Sequence, residues 1–226
     1  MTKKKQIVIA LCVVAVMGGA IVAAIWGGYE NNEVKYSLAE EVDDVLSSFD
    51  EEASLEGAKM YSSNPYDYKE SKYYKQLVGL GIDAVPILSE KLCKNEVTGL
   101  NQYLVGLAIQ DITETDLAEA TGDTWISGEE LAVVWKEFIK GAPEQIEQIL
   151  NAKETVDVKI EKLQSYGVFG KTAVKKMETE TPGDMLAVDP EYKFSEKEKK
   201  KLEQYTNEND IDLQQVERCF RSVYEF

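Results

Sequence analysis

Ser71-Lys-Tyr-Tyr-Lys-Gln-Leu77-Val-Gly-Leu-Gly81-Ile-Asp83-Ala-Val-Pro86-Ile-Leu88 is the stretch whose reading decides the fold. Tyr73, Tyr74, Leu77 and Val78 share one face of a helix that Ser71 opens. Gly81 suits the left-handed backbone at a helix end. Asp83 can cap a second helix, Pro86 is tolerated in its first turn, and Val85, Leu88 and Leu92 form its apolar stripe. The segment thus reads as helix, glycine turn, helix.

The same order returns downstream. Asp157-Val-Lys-Ile-Glu-Lys-Leu163-Gln-Ser-Tyr-Gly167-Val168 aligns without a gap at an offset of 86 positions, Leu163 on Leu77 and Gly167 on Gly81. Repeated helix pairs produce such a match, and so does chance likeness between amphipathic helices. The remaining segments are helical too. Leu38, Val42, Val45 and Phe49 form a stripe after the capping pair Ser37 and Glu40. Leu100 to Ile112 is apolar nearly all round, which predicts a helix buried on several sides. Ser127 and Glu130 cap a helix striped by Leu131, Val134, Trp135, Phe138 and Ile139. Gly141 is expected to end it and Pro143 to open another, carrying Ile146, Ile149 and Leu150. Val156, Ile160 and Leu163 mark the next, and Val174 and Met177 a short successor. Residues 178–194, with Pro182, Gly183 and Pro190, read as a connector, and Met185–Val188 as at most a short strand. Ser195 and Glu198 cap a further helix, and Leu213, Val216, Phe220 and Val223 stripe the last. No run sustains the alternation of a sheet, so the class is all-α, with short connections favouring antiparallel neighbours.

At Leu77–Leu88 the residues resemble the inter-helix turn of HEAT-like repeats, where a Gly is followed by a small residue, a Pro and an apolar residue. Leu107-Ala108-Ile109-Gln-Asp-Ile112-Thr113, then Thr121-Gly122 and Trp135, resembles the stretch that ends such repeats. Together, over Ser71–Met177, they look like membrane-anchored or secreted HEAT-like proteins of Gram-positive bacteria. The second copy departs from the pattern, with Lys171-Thr172 where the first has Val85-Pro86. The resemblance implies a helical scaffold for protein contacts and supplies no catalytic residue.

Toward the N-terminus, Gln6 to Trp26 carries no formal charge and is long enough, as a helix, to cross a bilayer. Lys3, Lys4 and Lys5 precede it, Glu30 and Glu33 follow it, and Trp26 sits where interfacial aromatics are favoured. This predicts a single-pass transmembrane anchor with the C-terminal part outside the cytoplasm. A cleaved signal peptide is the other reading; Ala20, Ala23, Ala24, Gly27 and Gly28 are compatible with it, but the apolar run is longer than is usual for one. The expected organisation is therefore residues 1–29 as lysine stub and anchor, 30–70 as tether and first amphipathic helix, 71–177 as the HEAT-like region, and 178–226 as connector and C-terminal helix pair.

The chain has 226 residues, 25 Lys plus Arg against 41 Asp plus Glu, no His, and a net charge of −16. Three of those basic residues precede the anchor, so the remainder is more acidic still. Such a surface excludes nucleic acid as a partner and disfavours anionic headgroups. Absence of His removes His-based triads and His-ligated zinc. Cys93 and Cys219, the cysteines beyond the anchor, read either as buried thiols or as a disulfide pair in an oxidising exterior. No metal site or cofactor is implied.

Carboxylates are the only abundant reactive groups. Asp43, Asp44, Asp50, Glu51 and Glu52 mostly lie opposite the Leu38–Phe49 stripe and read as a solvated face. Thr121–Ser127 lacks the alternating oxygen ligands of a calcium loop and reads as a turn. Lys197, Lys199, Lys200 and Lys201 alternate with Glu196, Glu198 and Glu203, which predicts pairing within one helix. Tyr61, Tyr66, Tyr68, Tyr73 and Tyr74 crowd into a short stretch around Asn64-Pro65 and are the candidate interaction surface. The expectation is a non-enzymatic, membrane-anchored extracytoplasmic scaffold that binds a protein. The alternative is a cell-envelope hydrolase using paired carboxylates, which needs two of them facing one cleft.

Overall fold

The computed structural model describes residues 37–49, 62, 64–180 and 195–207. The Gln6–Trp26 span with Lys3, Lys4, Lys5 and Trp26, the tyrosine at 61, Cys219, the 185–188 strand and the helix striped by Leu213 lie outside those residues. Among the described residues no helix is long and apolar enough to cross a membrane. The chain divides into two units, Met1–Asp43 and Asp44–Phe226. Of the first, the described part is residues 37–43, the opening turns of a helix, α1, that spans 37–49.

Every regular element among the described residues is a helix, so the all-α class holds. A 3-10 helix, Pro65–Glu70, begins at Asn64, whose side chain accepts from the Tyr66 amide. α2 (Lys72–Gly79) is capped by Ser71, α3 is Val85–Cys93, and α4 is Gly99–Thr113. The short α5 (Leu117–Thr121) starts at Asp116 and ends where Gly122 turns left-handed. α6 is Gly128–Asn151, α7 is Val156–Gln164, α8 is Gly167–Glu180 and α9 is Glu196–Asn207.

α4 is central and packs against α2, α3, α6 and α8. Leu104, Val105, Leu107, Ala108 and Ile109 are all buried, as its all-round apolar pattern predicts. α6 lies closest. A Cβ added at Gly106 of α4 would stand 2.8 Å from Leu131 Cγ, and one at Gly128 of α6 would stand 2.9 Å from the Tyr103 amide nitrogen. Real Cβ atoms do not come so near, so at Gly128 the backbone of α4 bars a side chain, and at Gly106 the buried Leu131 side chain would have to move.

The two helix–glycine–helix segments behave alike. Gly81 has φ of +71° and Gly167 +51°, the region where residues with a Cβ are strained. Leu77 and Leu163, four residues before each glycine, are fully buried, as are Leu88 and Val174 behind them. At the start of α3 the N-cap is Ala84 rather than Asp83, because a 3-10 turn, Ile82–Ala84, feeds straight into the helix and Pro86 occupies its first turn.

The expected break at Gly141-Pro143 does not occur. α6 runs on through Pro143 to Asn151. Leu131, Trp135, Phe138, Ile139, Ala142, Ile146 and Leu150 make one continuous buried seam at helical spacing, and Pro143 sits on the exposed side. Burial of that seam outweighs the lost amide of one proline, which costs ~3 kcal/mol in a helix interior. Pro143→Ala returns a donor to the Ile139 carbonyl at an exposed position, at the cost of a looser unfolded chain. Urea unfolding of the variant should show a gain of about 1–2 kcal/mol. An unchanged or lower midpoint means that the ladder is already relieved around Pro143.

Candidate functional site

The tyrosine-rich stretch divides between interior and surface. Tyr73 is 0% exposed, Tyr74 3% and Tyr68 4%, whereas Tyr66 is 51% exposed. The expected five-tyrosine surface is thereby corrected to Tyr66 among the described residues. The reason is helical phase. Tyr73, Tyr74 and Leu77 share the inner face of α2, and Phe49 of α1 closes over them, its ring centroid 4.8 Å from Tyr73 and 6.2 Å from Tyr68. Tyr68 donates its hydroxyl to the Ser62 carbonyl at 3.1 Å.

Tyr74 ties the stretch to α4. Its hydroxyl donates to Asp111 Oδ2 at 2.6 Å, and Lys69 Nζ reaches Oδ1 of the same carboxylate at 2.7 Å. Lys69 also lies 5.8 Å from the centre of the Tyr74 ring, a cation–π contact. Burial, then the hydrogen bond to Asp111 and its charge, push the Tyr74 phenol far above its ordinary range, with Tyr66 adding to the effect.

Tyr66 leads outward to residues that are distant in sequence. Its ring meets Tyr103 of α4 edge-on, centroids 6.5 Å apart at 73°. Burial, then the neighbouring Tyr66, raises the pKa of the Tyr103 phenol, and the Trp125 side chain draws it back. Trp125 is half-buried, and next to it Ile126 is 90% exposed. The site is therefore a surface patch of Tyr66, Tyr103, Trp125 and Ile126, built from the 3-10 helix, α4 and the α5–α6 loop.

That loop is held at both ends. Thr121 Oγ1 donates to the Leu117 carbonyl at 2.8 Å and accepts from the Asp123 amide at 3.1 Å. Ser127 Oγ accepts from the Glu130 amide at 3.2 Å, and Glu130 Oε2 accepts from the Ile126 amide at 2.8 Å. Gly128 then seats the start of α6 against Tyr103. Exposure of Ile126 follows from this geometry, not from slack. Sequence reading missed Tyr103, Trp125 and Ile126 as surface residues. The available signal was a Trp-Ile pair inside a polar turn.

Other candidates resolve differently. Asp43 and Asp44 are exposed, while the acidic residues at 50–52 lie outside the described residues. Among the described residues no group of three or more Cys, Asp or Glu could hold a metal. A groove of about 180 Å³ between α7 and α9 is lined by Asp157, Ile160, Gln164, Lys201, Gln204 and Tyr205, with Asp157 its single carboxylate. Lys201 pairs with that Asp157, so the expectation of pairing within one helix holds for Lys199 with Glu196 and fails for Lys201, which bridges α9 to α7. Cys93 is a half-buried free thiol; burial raises its pKa, against the pull of Lys136 and Lys140.

The chain matches no protein-family model, no curated protein and no solved structure.

Tyr74→Phe should cost about 1–2 kcal/mol, because Asp111 loses a donor at a partly buried site. A phenol that holds its proton more tightly folded than unfolded contributes stability fully present below its ordinary pKa of 10 and lost as pH rises beyond it. Thermal unfolding from neutral to strongly alkaline pH should thus show a steeper alkaline loss in the wild type than in Y74F. Parallel curves would remove the coupling between Tyr74 and Asp111.

Proposed function

We propose that the chain is a non-enzymatic scaffold, held at the outer face of a membrane by the Gln6–Trp26 segment, whose HEAT-like helical array binds a partner protein through the Tyr66–Tyr103–Trp125–Ile126 patch. The observation that carries the reading is Ile126, 90% exposed on a loop pinned at both ends, next to half-buried Trp125 and two positions before Gly128, which abuts Tyr103 of the Tyr66–Tyr103 ring pair. Monomeric surfaces expose single apolar residues freely, but aromatic and apolar side chains held together in place mark contact sites. The paired geometry of Gly81 and Gly167, with Leu77 and Leu163 buried before them, supports reading the two segments as copies of one unit. The lysines at 3–5, ahead of an uncharged run and an acidic remainder, support the orientation.

A photo-crosslinking amino acid at position 126 of the full chain should give one discrete protein adduct in membranes of the source cell. The same group at Glu144, an exposed residue of α6, should not. Tyr66 is 51% exposed, so Tyr66→Leu should leave folding stability within about 0.5 kcal/mol, and loss of the adduct in that background reports on the surface. Removal of residues 1–29 should move the protein from the membrane pellet to the soluble fraction. Equal labelling at 126 and 144 overturns the contact surface, and a chain that pellets without its first 29 residues overturns the anchor.

A further inference from the structure

The patch carries more than apolar area. Asp67 follows Tyr66, Asp123 precedes Trp125 by two positions, and Glu129 and Glu130 begin the helix after Ile126; all four are exposed. Asp67 is occupied by Ser62 and Asn64, neutral donors at 2.5 and 3.1 Å, and Glu130 by the Ile126 amide. None of the four takes part in an ion pair among the described residues. The basic side chain nearest in sequence to Tyr66, Lys69, pairs with Asp111 and lies over the Tyr74 ring. The aromatic residues are thus neighboured in sequence by exposed carboxylates that make no ion pair among the described residues.

Resting on the scaffold reading above, we infer that the patch takes a cationic protein segment, with an arginine or lysine over the Tyr66, Tyr103 and Trp125 rings and its neighbours against the carboxylate rim. Lys69 over the Tyr74 ring shows the same chemistry nearby in this structure. Charge decides between occupants. A second copy would bring an identical acidic rim against the first, and an isologous contact of like charges is disfavoured. Anionic lipid and nucleic acid are repelled for the same reason. A segment bearing Arg or Lys gains from both the rings and the rim.

The test uses the full chain in detergent and a short fluorescent peptide of alternating arginine and serine, with a citrulline-for-arginine twin. Binding is read by anisotropy at low and at physiological salt. The expected result is saturable binding of the arginine peptide and little of its twin. Tyr66→Phe should retain most of the binding, because a ring remains. Tyr66→Leu should bind about 5-fold more weakly although net charge is unchanged. Trp125→Leu should do the same, provided its far-UV spectrum matches the wild type. If Tyr66→Leu binds as tightly as Tyr66→Phe, the attraction is the general one of an acidic protein for a cation, and the inference falls. A crosslinked adduct at position 126 alongside that result would leave the scaffold reading standing with a partner of other chemistry. Neither an adduct nor patch-dependent binding removes both.

Discussion

The rest of the structure depends on the close approach of α6 to α4. Two glycines permit it, Gly106 beneath Leu131 and Gly128 beside the Tyr103 amide. Leu131 is then fully buried, and Trp135, one turn on, reaches across to donate its indole N–H to Ser89 Oγ of α3 at 3.1 Å. Phe138 continues the line, with Tyr166 5.8 Å away and Phe169 5.6 Å away around the α7–α8 turn. One seam of α6 therefore joins the first helix–glycine–helix segment to the second. Aromatic pairs of this kind add about 0.5–1.5 kcal/mol each beyond the area they bury.

Polar groups complete the join where packing leaves backbone ends. The amide of Asp116 donates to the Ser165 carbonyl at 2.9 Å, fixing the start of α5 to the turn before Gly167. Lys171 reaches Glu114 at 2.6 Å across the same junction. Lys159 is nearly buried, and its ammonium donates to the Leu150 carbonyl at 2.6 Å, in the last turn of α6. A cation at a helix C-terminus meets both an unpaired carbonyl and the negative end of the dipole. Desolvation still lowers the Lys159 pKa, against the pull of Glu154. In the gapless alignment Lys159 falls on Tyr73, so one segment fills that buried position with a ring and the other with a helix-capping amine.

Local chemistry explains what the sequence made legible. Ser127 with Glu130 and Ser195 with Glu198 bond as their spacing predicts, since a cap needs only residues three apart. Gly81 and Gly167 take the positive φ expected of them for an equally local reason, although Gly81, with ψ of −169°, lies outside the left-handed helical region. Pro143 was misleading because its local cost competes with a seam seven side chains long, which only the packed partner makes visible. Lys201 was misleading because intrahelical glutamates were near in sequence while Asp157 was near in space. Among the tyrosines, the helical phase of Tyr73 and Tyr74 was readable, but Tyr68 is buried by a 3-10 turn whose phase differs from that of an α-helix. Tyr66, Tyr103 and Trp125 come together through tertiary packing alone, and no spacing rule links them.

The consequence for function lies in how the exposed apolar group is held. An isoleucine in a slack loop folds onto its own protein, and ordering it on binding costs conformational entropy. Ile126 cannot do so, because its own amide is bonded to Glu130 and the next residue caps α6. The ordering cost is met when the protein folds, and burial of the side chain, worth about 1.5–3 kcal/mol, remains for whatever covers it. The edge-on packing of Tyr66 against Tyr103 acts in the same way on those rings. The packing of α6 on α4 that builds the core therefore also stiffens the patch, and a loosened Gly128 contact would disturb both together.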